Sequence, residues 1–333
     1  MEKNKWYNPQ KLLSHNALFN VVLSMRGGGK TYAFTKHIIK SYLKNGSQSA
    51  YIRRNKCELD DVKPTFFKAI EGEFPNHKFN VKGDVGYIDD KPFVHFIALS
   101  TSSNKKSKAY PTVDFALFDE YIITNNGYKK YLKNEMILLF DLCETIFRCR
   151  DNWRIVFLSN SVSYVCPLFD EMGIKINSDK EFQKFHNGLF LLQIYKNDEF
   201  TEDKKNTRFA KLIQNSKYYK YAIENELLED NNEYICDRVG QLTFMFSIRA
   251  YDFEVGVWLN HEGMFYIDEK IEPNTKNKYF IYNDDMKEGY INIRNNNNKY
   301  TIKKLKDEYL NGCVYYSTQR VKKFFINNII KNI

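Results

Sequence analysis

Phe19-Asn20-Val21-Val22-Leu23-Ser24-Met25-Arg26-Gly27-Gly28-Gly29-Lys30-Thr31-Tyr32 is the stretch on which the reading of this chain turns. An apolar run halts at three glycines, and Lys30 and Thr31 then open a segment with helical periodicity, residues 32–43. Glycines let the backbone turn without Cβ clashes, so successive N–H groups converge on an anion at the positive end of a helix. This is the layout of a phosphate-binding loop. Arg26, Gly27, Gly28 and Gly29 would form the turn, Lys30 would reach the β- and γ-phosphates of a nucleotide and the Thr31 hydroxyl would ligate Mg2+, the alternative being a glycine-rich turn that binds nothing. The stricter pattern has glycine where this chain has Ser24, a residue small enough to keep the turn feasible.

Outward from the loop, short β-rich runs alternate with helical periodicity. Residues 17–24, 50–53, 93–99, 114–118, 154–158 and 189–194 read as buried strands, and 32–43, 62–74 and 134–147 as helices. The alternation predicts an α/β domain with a largely parallel sheet over residues 1–196. Residues 196–208 turn polar and charged, and a helix-like stretch follows at 209–227, so 197–229 reads as a linker. Consecutive β runs then appear at 234–239, 242–248, 253–259, 264–267 and 279–281, with helices expected at 302–310 and 321–330. Strands first and helices last predict a separate α+β domain over 230–333.

A second acidic motif completes the catalytic reading. The apolar run 113–118 ends in Asp119-Glu120, two carboxylates at a strand's C-terminal end, where open parallel sheets bind ligands. Asp119 would hold the Mg2+ water shell and Glu120 would polarise the attacking water. The run 153–158 ends in Ser159-Asn160. Asn160 is either a sensor touching the γ-phosphate or lytic water, or an ordinary turn residue. Arg148 and Arg150 end the 134–147 helix, as cations favoured by the helix dipole or as an arginine delivered to a neighbouring subunit's nucleotide.

Composition bounds the rest. A chain of 333 residues with 43% hydrophobic and 16% aromatic content is an ordered globular protein of two domains. No apolar run approaches the roughly 18 residues a membrane span needs, which predicts a cytoplasmic location. The six cysteines show no Cys-x-x-Cys pairing and the six histidines no metal spacing, which argues against structural zinc. Neither His-Glu-x-x-His nor Gly-x-Ser-x-Gly occurs. A net charge of +9 points to a polyanionic partner, although lysine-rich composition also arises from AT-rich genomes.

Further segments make the pattern specific: Trp6-Tyr7-Asn8-Pro9-Gln10-Lys11, Tyr51-Ile52-Arg53-Arg54, Lys106-Ser107-Lys108-Ala109-Tyr110-Pro111, Phe118-Asp119-Glu120, Phe147-Arg148-Cys149-Arg150, Leu158-Ser159-Asn160 and Thr275-Lys276-Asn277. With them the chain resembles, nearly end to end, the DNA-packaging ATPases (encapsidation proteins) of small, short-tailed double-stranded-DNA phages. The resemblance implies an ASCE-type P-loop NTPase fold, a largely parallel sheet with helices on both faces, then a linker helix and a smaller α+β RNase H-like domain with a vestigial nuclease. It implies an ATP- and Mg2+-dependent motor in the host cytoplasm that drives double-stranded DNA through the portal (connector) of a preformed prohead. The motor would be a homo-oligomeric ring, usually a pentamer, with a structural packaging RNA as a further possible partner.

Carried over position by position, the resemblance marks Arg148 as an arginine finger acting in trans and Lys106 as a second trans-acting basic residue. It places Arg53 near a Glu120 switch and Lys56 on a pore-facing loop that grips the DNA backbone. Lys105, Lys129 and Lys130 lie on segments flanking the Asp-Glu strand, either coupling hydrolysis to the grip or standing as solvated loops. In the second domain Asp252, Glu254 and Asp268 would have to gather for metal-dependent cutting, or else form a solvated acidic face. Residues 294–331 carry nine lysines and arginines against two acids, an expected nucleic-acid-facing surface. Competing readings are a P-loop helicase or initiation ATPase, a nuclease-competent large terminase, and a nucleic-acid scaffold with a vestigial P-loop.

Overall fold

The computed structural model describes residues 6–105, 107–123, 130–224, 234–237, 240–251, 253–296 and 300–333. The chain divides into two compact units, Met1–Glu229 and Asp230–Ile333.

The first unit is built on a nine-stranded sheet: β1 (Phe19–Ser24), β2 (Gln48–Arg53), β3 (Phe79–Lys82), β4 (Val85–Ile88), β5 (Lys91–Ala98), β6 (Val113–Asp119), β7 (Arg154–Asn160), β8 (Phe182–Phe185) and β9 (Phe190–Tyr195). Their spatial order is β3-β4-β5-β2-β6-β7-β1-β9-β8. The run from β5 to β9 is parallel, while β3, β4 and β8 add antiparallel edges. The helices are α1 (Gln10–Leu13), α2 (Lys30–Asn45), α3 (Lys56–Val62), α4 (Glu135–Phe147), α5 (Pro167–Glu171), α6 (Asp198–Lys205), α7 (Arg208–Leu212) and α8 (Lys217–Ala222).

Every residue of β1 is buried, as expected of a central parallel strand covered on both faces. Its alternating side chains feed two cores. Phe19, Val21 and Leu23 join Leu139, Leu142 and Ile146 of α4, and Val22 joins Phe34, Ile38 and Ile39 of α2. Burying each such side chain contributes about 1.5–3 kcal/mol, which fixes α2 to the sheet. That helix stops where Gly46 takes a left-handed φ of 76° and its N–H bonds the Tyr42 carbonyl at 2.8 Å. β7 separates β1 from β6, which is the extra-strand arrangement of ASCE-type P-loop folds and places the tips of β1, β7 and β6 side by side.

Several expectations shift. The helix read over 62–74 is instead α3 followed by short 3-10 turns, because Pro64 cannot continue an α-helix and the apolar residues Phe66, Phe67 and Ile70 pack as a cluster. The 209–227 stretch forms two short helices, α7 and α8, each started by its own side-chain cap, Thr207 and Ser216. The segment read as a linker packs, through Ala210, Tyr219, Tyr221, Ala222 and Ile223, into the core of the first unit.

The second unit holds a six-stranded sheet of β10 (Leu242–Ala250), β11 (Phe253–Asn260), β12 (Phe265–Asp268), β13 (Lys278–Phe280), β14 (Ile291–Asn292) and β15 (Val314–Tyr316), in the order β14-β13-β10-β11-β12-β15. β10, β11 and β12 form an antiparallel meander, with β13 and β14 parallel on one flank and β15 on the other. Helices α9 (Tyr300–Leu310) and α10 (Gln319–Phe324) cover it through Ile302, Leu305 and Val321, joined by Phe325 of the turn that follows α10. The run at 234–239 is no strand where it is described; Ile235 makes only a single bridge to Tyr316.

Candidate nucleotide-binding site

The glycine turn is bent as the sequence requires: Gly27 and Gly29 take φ values of 86° and 81°. A Cβ on Gly29 would lie 3.1 Å from the Trp6 ring, so the loop also needs glycine there for space. Lys30, buried at the start of α2, points back under the turn. Its ammonium donates to the Ser24 hydroxyl at 2.7 Å, the Met25 carbonyl at 3.1 Å and Asn160 Oδ1 at 3.3 Å. Ser24, a departure from the strict pattern in sequence, thus supplies the closest oxygen to that ammonium.

The second acidic motif converges on the same place. The Thr31 hydroxyl lies 3.3 and 3.4 Å from the two Asp119 carboxylate oxygens. Tyr51 donates its hydroxyl to Asp119 Oδ2 at 2.8 Å, and Arg53 bonds Asp119 at 3.0 Å and Glu120 Oε2 at 2.8 Å. Glu120 itself stands with φ 57° and a half-exposed side chain, at 53%. Together Gly27–Thr31, Tyr51, Arg53, Asp119, Glu120, Ser159 and Asn160 line a cleft of about 430 Å3.

Electrostatics follow from burial. Desolvation pushes the Lys30 ammonium down from 10.5 to about 8; Asp119 opposes the shift and Lys204 adds to it. Burial also acts on Arg53, but Asp119, Tyr51 and Glu120 outweigh it and hold that guanidinium above its ordinary value. Tyr51 is raised, by burial first and by Asp119 next.

A nucleotide with Mg2+ fits this donor set. The buried ammonium donates directly only to neutral oxygens, with Asp119 acting on it from a distance, so a phosphate oxygen would be its first directly bonded anion, and the Thr31 hydroxyl beside a carboxylate is a hard-oxygen pair suited to Mg2+.

Sequence reasoning missed the residues around the loop. Lys204 of α6 donates to the carbonyls of Arg26 at 2.8 Å and of Ala222, tying loop to α8. Tyr221 shares a hydrogen bond with Asn160, and Trp6 packs against Phe200 at 5.6 Å. These residues come from distant parts of the chain, and a lysine in a charged stretch carries no periodic signal.

Other expected residues stand apart from the cleft. Arg150 donates to the carbonyls of Tyr110, Pro111, Ile146 and Phe147, a structural clamp at the α4 C-terminus. Arg148 is exposed beside it, near the start of β6, whereas Asp119 ends that strand about 20 Å away. Lys56 is exposed at the start of α3, and Lys130 is exposed. Lys105 is ion-paired to Asp84 at 2.9 Å. Lys106 and Lys129 lie outside the described residues.

In the second unit Asp252 lies outside the described residues, and Glu254 accepts hydrogen bonds from Tyr290 at 2.9 and 3.1 Å. Among the described residues no three His, Cys, Asp or Glu side chains are grouped to hold a metal, Asp268 included. The basic stretch is partly committed inward: Arg320 lies over the Phe253 ring at 4.2 Å, and Lys306 donates to the Ile333 oxygen at 2.6 Å. No helix among the described residues is long and apolar enough to cross a membrane.

Comparison with known proteins adds independent findings. The family described as Podovirus DNA encapsidation protein (Gp16) matches residues 1–332. The DNA packaging protein of Bacillus phage phi29 is 36% identical over 323 residues, covering 97% of this chain and 96% of that protein. The DNA packaging protein of Bacillus phage B103 is 36% identical over 312 residues, covering 93% and 96%. Among solved structures, the bacteriophage phi29 viral genome packaging motor assembly matches with a TM-score of 0.81 at 34% identity, covering 97% of this chain and 98% of that one. The N-terminal domain of the phi29 DNA packaging ATPase matches with a TM-score of 0.54 at 38% identity, covering 57% of this chain and 96% of that one.

Proposed function

Since the chain belongs to the podovirus DNA encapsidation protein (Gp16) family and is a phage DNA packaging motor protein, we propose that it hydrolyses ATP with Mg2+ to drive double-stranded DNA through the portal of a prohead. One observation carries the reading: Lys30 and Thr31 of the glycine turn meet Asp119 and Glu120 in a single cleft, with Thr31 within 3.4 Å of Asp119.

The residues divide the work. The N–H groups of the turn and Lys30 bind the phosphates, and Thr31, with Asp119 through water, would hold Mg2+. Mg2+ would supply charge neutralisation at the β- and γ-phosphate oxygens. Glu120 orients the attacking water and accepts its proton once released from Arg53, to which it is paired at 2.8 Å. Arg53 therefore acts as the switch that parks the base. Asn160, bonded to Lys30, stands at the β7 tip as the γ-phosphate sensor.

Arg148 is too far from the Asp119 of its own chain to touch its own nucleotide, which supports delivery to a neighbouring subunit in a ring, pentameric by analogy. Lys106 is a second basic residue acting in trans. Lys56, with Lys105, Lys129 and Lys130, grips the DNA phosphates without reading sequence. The residues 197–229, packed on the first unit through their apolar side chains, lead into a 230–333 RNase H-like domain with a vestigial nuclease that binds nucleic acid, including any packaging RNA.

The test is ATPase activity with and without double-stranded DNA, measured alongside oligomeric state. DNA-stimulated turnover by an assembled ring is expected, and Glu120→Gln should bind nucleotide yet lose turnover by about 10² or more. An active Glu120→Gln protein would refute the assignment. Strand separation on forked DNA would move the reading to a helicase.

A further inference from the structure

β2 ends at Arg53, Arg54 follows it directly, and the two side chains go to opposite sides. Arg53 turns into the cleft and meets the carboxylates of Asp119 and Glu120. Arg54 turns the other way and is buried, 1% exposed. Its Nε and Nη2 form a two-point pair with Glu135, at 2.7 and 2.9 Å, at the first turn of α4. The same guanidinium donates to the backbone carbonyls of Glu120, at 3.4 Å, and Tyr121. The Tyr131 ring covers it at 4.9 Å, and Glu135 also accepts from the Leu132 N–H at 2.9 Å.

The two carbonyls belong to the strained part of the site. Glu120 is a non-glycine residue with φ 57°, a conformation that persists only where its surroundings impose it. In front, the Glu120 N–H bonds Asp119 Oδ1 at 3.1 Å, and the Tyr121 N–H bonds the Leu158 carbonyl at 3.2 Å. Behind, Arg54 holds both carbonyls. A buried ion pair is seldom more stable than apolar residues of equal volume, so the pair is weak evidence for stability alone.

Resting on the ATPase reading above, we propose that Arg54 is a positioning residue that holds the Glu120 backbone in its left-handed turn and locks it to the head of α4, so that Glu120 faces the attacking water. Arg54 touches no nucleotide itself. The same residue links three elements: the end of β2, which runs on into the Lys56 helix; the Asp-Glu tip of β6; and α4, which carries Arg148 at its far end.

The test separates binding from turnover in Arg54→Lys. A lysine keeps the charge opposite Glu135, but as a point donor it cannot also span both carbonyls. The expected result is a folded protein with a lower thermal midpoint but a nucleotide Kd near that of the wild type, and kcat lower by about a hundredfold. In a Glu120→Gln background the same change should add no further loss. Should Arg54→Lys fail to fold, the paired variant Arg54→Met with Glu135→Met removes both buried charges together, and the same split is expected. Turnover within about twofold of wild type in either folded variant overturns the proposal, as does a Kd that weakens in step with kcat. A wild-type protein that hydrolyses no ATP overturns the functional reading, and this inference with it.

Discussion

Lys30 makes nucleotide affinity depend on pH in a way the geometry quantifies. In the free protein its ammonium is buried among neutral oxygens and titrates at about 8 instead of 10.5. Bound phosphates bring negative charge to that ammonium and return it towards its ordinary value, so the bound state holds more protons. Affinity therefore falls as pH rises through the free-state value. With those two values, Kd should rise roughly tenfold between pH 7 and pH 9, and near pH 8.5 binding should take up about three-quarters of a proton. Titration calorimetry in two buffers of different ionisation enthalpy measures both quantities. Lys30→Arg, always charged, should show a flat profile even if its affinity is lower. A wild-type Kd that changes by less than about twofold over that range, with no proton uptake, would refute the burial argument.

Lys204 adds to the depression of Lys30, so Lys204→Met should move the midpoint of that profile to higher pH; an unchanged midpoint would remove Lys204 from the site's electrostatics. Mixing Arg148→Ala with Lys30→Ala subunits should restore part of the ATPase activity that each lacks alone, through interfaces that pair an intact loop with an intact arginine. If no mixing ratio helps, the arginine does not act in trans. Lys56→Ala should weaken binding alike for all DNA sequences and lower the slope of log K against log salt by about one phosphate contact. A sequence-dependent loss would contradict a backbone grip.

Much of the fold was legible because its signals are local. A strand, three glycines and a Lys-Thr pair at a helix start are consecutive residues, and the apolar run into Asp119-Glu120 needs no partner to be recognised. The α2 and α4 helices matched their periodicity to within a few residues, since each buries one continuous stripe. The reading failed where long-range packing overrides local pattern. Pro64 ends α3 and turns the 62–74 stretch into 3-10 turns, and the β3–β4 hairpin, half exposed and short, has too weak an alternation to be seen. The 197–229 segment looked like a linker because it is charged, yet its few apolar side chains reach the core of the first unit.

The candidate site divides along the same line. From sequence come the loop, the acids and the Arg148/Arg150 pair, named by local spacing, while Arg53 and Arg54 came from the family resemblance. Their division of labour is tertiary. Arg53 and Arg54 are indistinguishable in a string of letters, but at the end of β2 one turns to the carboxylates and the other to the buried carbonyls behind them. Arg148 and Arg150 look alike too, and only the surrounding carbonyls commit Arg150 to the helix end while Arg148 stays exposed. The sequence by itself determined which chemistry the chain can perform, since phosphate binding needs particular residues at particular local spacings. What each charge is paired with, and therefore when it is free to act, was decided only when the sheet brought the tips of β1, β2, β6 and β7 together, because electrostatic partners are set by distance in space.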